Sequence, residues 1–361
     1  MKRGSGMTIH KAFAVAAAVL LGSTFTAAAA EKIVLAHAAP QLSASYAINS
    51  SLPLYLKYWE EEGLDVEVVP TPGAAAAMQL VISGQADVAM GSPNAAFAAI
   101  QRGAPLKIYF STLRGDIFGV AMPAGSGLDS IDDLKGKTVG VSSFASAGTP
   151  YLKGLLATAG LTDQDVSIVE VGVGGRAASA LLSKQVDALA LWDEAYVQME
   201  GKDINFEKII KDERADAAFS SSLVVSEDSI KNRRQALIGL ARGIAKAQLY
   251  EAENLEAAAR IHWEVYPQSA PREGVNEQTL DDATKVLAVR QHIQSKDAFG
   301  SGKFGDIPPD YMVRFQDYLI ATDQLPAAID PTLYYTNEMI DEINDFDAAK
   351  VVEAAKSFKA Q

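Results

Sequence analysis

The residues best suited to chemistry in this chain stand at matching places in two copies of one pattern. Trp192-Asp193-Glu194 offers an indole and two carboxylates where, 100 residues earlier, Ser92-Pro93-Asn94 offers small polar groups. An aromatic plate with carboxylate acceptors suits a flat ligand bearing N–H donors, or a cation. Packing for Trp192, and helix capping for Asp193 and Glu194, are the structural alternatives. Ser142, Ser143, Ser146 and Thr149 cluster before a helical pattern, with Phe144 among them. Hydroxyls at a helix mouth, with free backbone N–H groups behind them, would cradle an anion or a carbonyl. His37, Tyr46, Phe118, Arg114 and Arg176 are weaker candidates, and for His37 a locally bonded strand-end histidine is the favoured reading over ligand contact.

The elements that must position these groups alternate. Residues 32–38 (KIVLAHA) and 64–70 (LDVEVVP) read as strands, with a helical pattern over 46–63 between them. Pro53 predicts a kink in that helix, or a start near Ser51. A third strand, at 88–90, lies between two helical patterns within 73–103. Strand–helix–strand alternation predicts a parallel sheet with ligands at the carboxyl ends of its strands. At an offset of 100, Asp65, Gln85 and Asp87 recur as Asp165, Gln185 and Asp187, so a second sheet of the same build is expected. The repeated Gln and Asp are read as scaffold turns, not as site residues.

The expectation is therefore an α/β protein of two lobes with a cleft between them. The small and turn-forming residues 123–128 suggest a crossing there, and the strand-like 217–226 suggests a return. This gives lobe 1 as 31–122 plus 224–361 and lobe 2 as 123–223. Six loops would line the cleft: 38–46, 71–74 and 91–94 from lobe 1, and 142–149, 172–176 and 192–194 from lobe 2.

Several function classes are disfavoured. Lys2, Arg3 and Lys11 precede an apolar run over 12–21, and Ala28-Ala29-Ala30 comes just before Glu31. This pattern predicts an export signal over 1–30 that is cleaved near Ala30, since the apolar run is shorter than a spanning helix needs. Removing its three basic residues from the chain's 32 leaves 29 against 45 acidic residues, a net of −16. Nucleic acid is a poor partner for such a charge. The absence of cysteine excludes a thiolate metal site, a disulfide framework and a catalytic thiol. His37, His262 and His292 have no ligand-like spacing, so no metal is expected. Nucleophile-elbow, phosphate-loop, zinc-protease and dinucleotide motifs are missing, and the glycines at 172–175 lack the spacing of the last. Neither cofactor nor enzymatic activity is expected.

Residues 61–70 (EEGLDVEVVP), 79–93 (QLVISGQADVAMGSP), 133–141 (DLKGKTVGV) and 186–196 (VDALALWDEAY) resemble the periplasmic substrate-binding proteins of ABC importers. The resemblance is to the group that includes sulfonate, taurine, nitrate and thiamine-pyrimidine-precursor binders. The ending from Asp330 to Met339 (DPTLYYTNEM) is more similar to the pyrimidine branch. The resemblance implies a two-lobed periplasmic-binding-protein fold of type II and a monomer. It also implies a small-molecule ligand and a membrane permease with a cytoplasmic ATPase as partner. A heteroaromatic such as a pyrimidine precursor is the favoured ligand, and a sulfonate, taurine, nitrate or carboxylate anion the alternative. Fungal pyrimidine synthases share the fold family and look built around a histidine that is consumed, which leaves an enzyme as the alternative of another class.

Overall fold

The computed structural model describes residues 1, 29–200 and 204–359; the expected export signal lies, but for residues 1, 29 and 30, outside them. Among the described residues, ten strands form two five-stranded sheets. They are β1 (Glu31–His37), β2 (Leu64–Pro70), β3 (Val88–Gly91), β4 (Leu106–Arg114) and β5 (Phe118–Pro123), then β6 (Thr138–Val141), β7 (Ser167–Glu170), β8 (Ala188–Trp192), β9 (Phe206–Ile210) and β10 (Phe219–Ser226). The first sheet has the order β2-β1-β3-β10-β4 and the second β7-β6-β8-β5-β9. In each, the three strands joined by helices run parallel, and a strand arriving from the other sheet pairs antiparallel beside them. The α/β expectation of two similarly built sheets holds.

The repeat at 100 residues has a physical reason. In the first sheet the Asp87 carboxylate accepts the N–H of Val34 at 2.7 Å, while its own N–H donates to the Val34 carbonyl at 2.9 Å. In the second, Asp187 does the same for Thr138, at 2.8 Å in both directions. Each aspartate therefore clips the third parallel strand onto the first, satisfying a donor and an acceptor that the ladder leaves over. Lys184 takes the left-handed conformation, φ 57°, that Gly84 takes in the first copy at φ 71°. Pro53 lies in the first turn of a helix that begins at Ser51, one of the two outcomes expected, and the segment then breaks at Lys57, φ 60°. The helix Arg234–Glu253 covers the first sheet, so closely that a side chain at Gly243 would collide with Trp59, whose indole N–H donates to the Leu240 carbonyl at 2.9 Å.

By sheet membership the chain changes lobes at 115–117 and at 211–218, not at the turn-forming run after Pro123. Phe118–Pro123 pairs with β8 and β9 and belongs to the second sheet, and β10 begins at Phe219 in the first. The two crossings are tied together. The Tyr151 hydroxyl donates to Asp116 at 2.6 Å and accepts the N–H of Asp212 at 2.7 Å, and Asp212 holds Arg214 through both carboxylate oxygens. Gly115 donates its N–H to the Ala218 carbonyl at 2.7 Å and accepts the Ser220 hydroxyl.

The clip makes a stability prediction. Replacing Asp87 with Ala orphans the part-buried Val34 N–H and removes a partner of Arg233, which should lower unfolding free energy by about 1–3 kcal/mol. Asp187→Ala, whose counterpart bond is exposed, should cost less. Denaturant midpoints of the two variants measure the difference, and equal costs would contradict this account.

Candidate functional site

The carboxyl ends of the parallel strands carry the candidate groups. His37 ends β1 and is buried, 3% exposed. Its Nε2 lies 3.1 Å from the Asn49 Oδ1, and its Nδ1 has no hydrogen-bond partner among the described residues. An amide oxygen only accepts, so Nε2 carries the proton and Nδ1 presents a lone pair. Tyr46 packs edge-on against this imidazole, with ring centroids 4.6 Å apart. Burial lowers the His37 pKa to about 4, against the hydrogen bond with Asn49. Burial, then the charge of Glu194, pushes the Tyr46 hydroxyl up to about 12.

Across the cleft, Trp192 ends β8, half-buried, against an apolar cluster of Leu113, Ile117 and Ile293. Asp193 and Glu194 form the first turn of the helix Asp193–Met199. Both acids have a partner: Arg290, from the first lobe, donates to Asp193 Oδ1 from Nε at 3.0 Å and Nη2 at 2.7 Å, and its Nη1 lies 2.9 Å from Glu194 Oε2. Arg290 is 5% and Glu194 3% exposed. Ser45 also hydrogen-bonds Glu194, but burial outweighs these partners and raises its pKa to about 8. Beyond Arg290, Glu251 accepts from Gln291 at 3.0 Å and Gln294 at 2.7 Å. Its carboxyl is raised to about 7, again chiefly by burial.

The remaining candidates divide. Ser92 donates to Asn94 Oδ1 at 3.0 Å, and the Asn94 amide donates to Gln324 at 2.6 Å, so both are held within lobe 1. The serine mouth is largely occupied by its own loop. The Ser146 hydroxyl accepts the N–H of Gly148, Thr149 donates to the Ser143 carbonyl at 2.9 Å, and the Phe144 N–H is taken by Glu170. The Phe144 ring is 59% exposed. This mouth nevertheless faces the first lobe, since a Cβ on Gly73 would lie 3.4 Å from the Ala145 carbonyl oxygen. Arg176 is exposed and lies against Gly172, Phe118 packs beside Tyr151, and the Arg114 guanidinium lies over the Tyr311 ring. The structure thus gathers His37, Tyr46, Asp193 and Glu194, with Trp192 adjacent, and leaves Arg176 apart. Sequence reasoning missed Arg290, Glu251, Gln294 and Asn49. Arg290 lies in a segment read only as helical, and no spacing links it to acids 97 residues earlier.

Among the described residues, no group of three or more His, Cys, Asp or Glu could hold a metal ion. A second buried histidine, His262, donates from Nε2 to the Leu42 carbonyl at 3.1 Å and accepts the Ser51 hydroxyl at Nδ1 at 2.9 Å, anchoring loop 38–46. Burial lowers its pKa to about 4. A histidine with a depressed native pKa binds fewer protons folded than unfolded. Stability from His37 and His262 is therefore fully present above the usual pKa of 6.5 and is lost as pH falls from there towards 4. Proton NMR should show both imidazoles in the neutral form until pH approaches 4, and titration of either near 6.5 would contradict its burial.

Comparison with known proteins follows this geometry. The family model described as NMT1/THI5 like matches residues 54–258. The chain is 28% identical over 141 residues to the 4-amino-5-hydroxymethyl-2-methylpyrimidine phosphate synthase of Schizosaccharomyces pombe, covering 38% of this chain and 39% of that one. It is 25% identical over 206 residues to the formylaminopyrimidine-binding protein of Halalkalibacterium halodurans, covering 56% and 62%. The match spans less than two thirds of either relative's length. The alkanesulfonate-binding protein SsuA of Xanthomonas axonopodis pv. citri, solved with MOPS bound, superposes with a TM-score of 0.61 at 15% identity, over 84% of this chain and 98% of that one, and so shares the fold. Synthases of the same name in Saccharomyces cerevisiae and Candida albicans also match. These synthases correct the expectation, drawn from missing motifs, that the chain is no enzyme: relatives named for binding and for synthesis carry related sequences. The protein belongs to the NMT1/THI5-like family.

Proposed function

We propose that the chain is the solute-binding component of an ABC importer. In this reading it is a soluble periplasmic protein that takes a small flat heteroaromatic, of the pyrimidine-precursor kind, into the cleft between its lobes. It then presents that ligand to a membrane permease with a cytoplasmic ATPase. The solute-binding fold supports the role. So does the observation that, among the described residues, no helix is long and apolar enough to cross a membrane.

One observation favours this ligand class over an anion. The buried imidazole of His37 is neutral and offers an unpartnered acceptor, Nδ1, beside the Tyr46 ring. Ring-amino N–H groups satisfy such an acceptor. Nitrate and unsubstituted alkanesulfonates carry acceptors alone and would leave it orphaned at a cost of about 1–3 kcal/mol. The serine mouth points the same way, because the Ser146 and Thr149 hydroxyls already serve its own loop. In this reading Trp192, at the end of β8, supplies the aromatic surface of the other lobe.

A second reading, a pyrimidine-forming enzyme, is favoured by the related synthases. Calorimetry with 4-amino-2-methylpyrimidine, ethanesulfonate and nitrate, alongside an assay for pyrimidine product, separates the readings. The expected result is preferential binding of the aminopyrimidine, weakened at least about tenfold in His37→Phe and in Trp192→Ala. Tighter binding of either anion would overturn the ligand class. Pyrimidine formed without added pyrimidine would place the chain with the synthases.

A further inference from the structure

The ion pairs of Arg290 have a consequence beyond ligand choice. Arg290 stands between the helices Glu277–Ala288 and Gln291–Gln294 of the first lobe, three residues before Ile293, which packs with Leu113 and Ile117 at the crossing. Both of its carboxylate partners open the first helix turn of the other lobe. We propose that Arg290 is a positioning residue, the latch that sets how readily the two lobes part, and that closing the latch takes up a proton. This rests on the two-lobed clamp reading above.

The charge count carries the proton. One guanidinium meets Asp193 and Glu194 directly and acts on Glu251, which the Gln291 and Gln294 amides hold, from further off, so three carboxylates, of which Glu194 and Glu251 are fully buried, share a single positive charge. Glu251 Oε2 has no hydrogen-bond partner among the described residues, which adds to the unmet negative charge. The other titratable groups near the latch supply no further cation. Tyr46 faces it from the first lobe as a neutral group, and His37, packed against the Tyr46 ring, is neutral too. On the adjoining helix Glu277–Ala288, Lys285 is spent on Asp281 at 2.7 Å, and His292 is exposed. Parting the lobes returns Glu194 to water, where its pKa falls back towards the usual 4.5. The closed state thus binds more protons than the open one between pH 4.5 and about 8, and closure weakens as pH rises through that window. It levels off above about 8.

The chain has no cysteine, so spin labels can be placed at the exposed, repeat-related Ser83→Cys and Ser183→Cys. Pulsed electron resonance on the full chain without ligand then reads the lobe-to-lobe distance from pH 5 to 9. Wild type should show a short distance that gives way to a longer one as pH rises. Arg290→Gln should shift the ratio towards the longer distance by more than about tenfold at pH 6, because it leaves buried carboxylates unpaired. Arg290→Lys, which keeps the charge but loses the fork, should fall between. Glu194→Gln should stay closed and lose most of the pH dependence, and a cooperative melt of each variant confirms folding. An unchanged ratio in Arg290→Gln, or an unchanged pH profile in Glu194→Gln, overturns the latch. A single distance in wild type at every pH, with and without 4-amino-2-methylpyrimidine, overturns the clamp itself.

Discussion

A guanidinium can be buried only where carboxylates come with it, and Arg290 finds its carboxylates on the other lobe. That constraint fixes the relation of the two halves. With Arg290 and Glu194 both nearly sealed from water, neither lobe can present its half of the pair alone without exposing or stranding a charge. The groups around the cleft take their electrostatics from it. Tyr46 is held protonated beside Glu194, and Asp193 turns its carboxylate to Arg290 as well as to its own helix. The second lobe therefore offers the cleft an indole edge and a neutralised acid pair. The first offers a neutral imidazole.

The two sheets support this by exchange of strands. Each has three parallel strands and one strand that has crossed from the other lobe, so the crossings are short and side by side. They are joined by Asp116, Tyr151, Asp212 and Arg214, and burial raises the Asp116 carboxyl to about 6 despite its bonds to Tyr151 and Phe118. In the clamp reading proposed above, motion between lobes would be absorbed at these few residues, with the sheets moving as units. Loops at the carboxyl ends of the two sheets meet at Gly73 opposite Ala145.

What the sequence disclosed was what is local. Asp87 and Asp187 could be matched because each clip is made by a turn of fixed length before a strand, and the same local geometry asks for the same residues. Trp192-Asp193-Glu194 could be located for the same reason, as the counterpart of Ser92-Pro93-Asn94. Its bonding could not be read, because the partner of the acids comes from a turn between two helices, 97 residues away, in a segment whose pattern shows only helical spacing. The lobe boundary was misjudged at Pro123 because turn-forming residues there mark the far end of β5. The true crossing, Gly115-Asp116-Ile117, is too short to alter composition. The serine mouth looked like an anion cradle because sequence shows hydroxyls but not which of them the loop itself consumes.

The central claim, that a small aromatic amine is held between the two lobes, is tested most directly by amide hydrogen exchange with and without 4-amino-2-methylpyrimidine. Increased protection is expected together in residues 37–46 of the first lobe and 192–194 of the second. Protection confined to one lobe, or to residues outside the cleft loops, would contradict it.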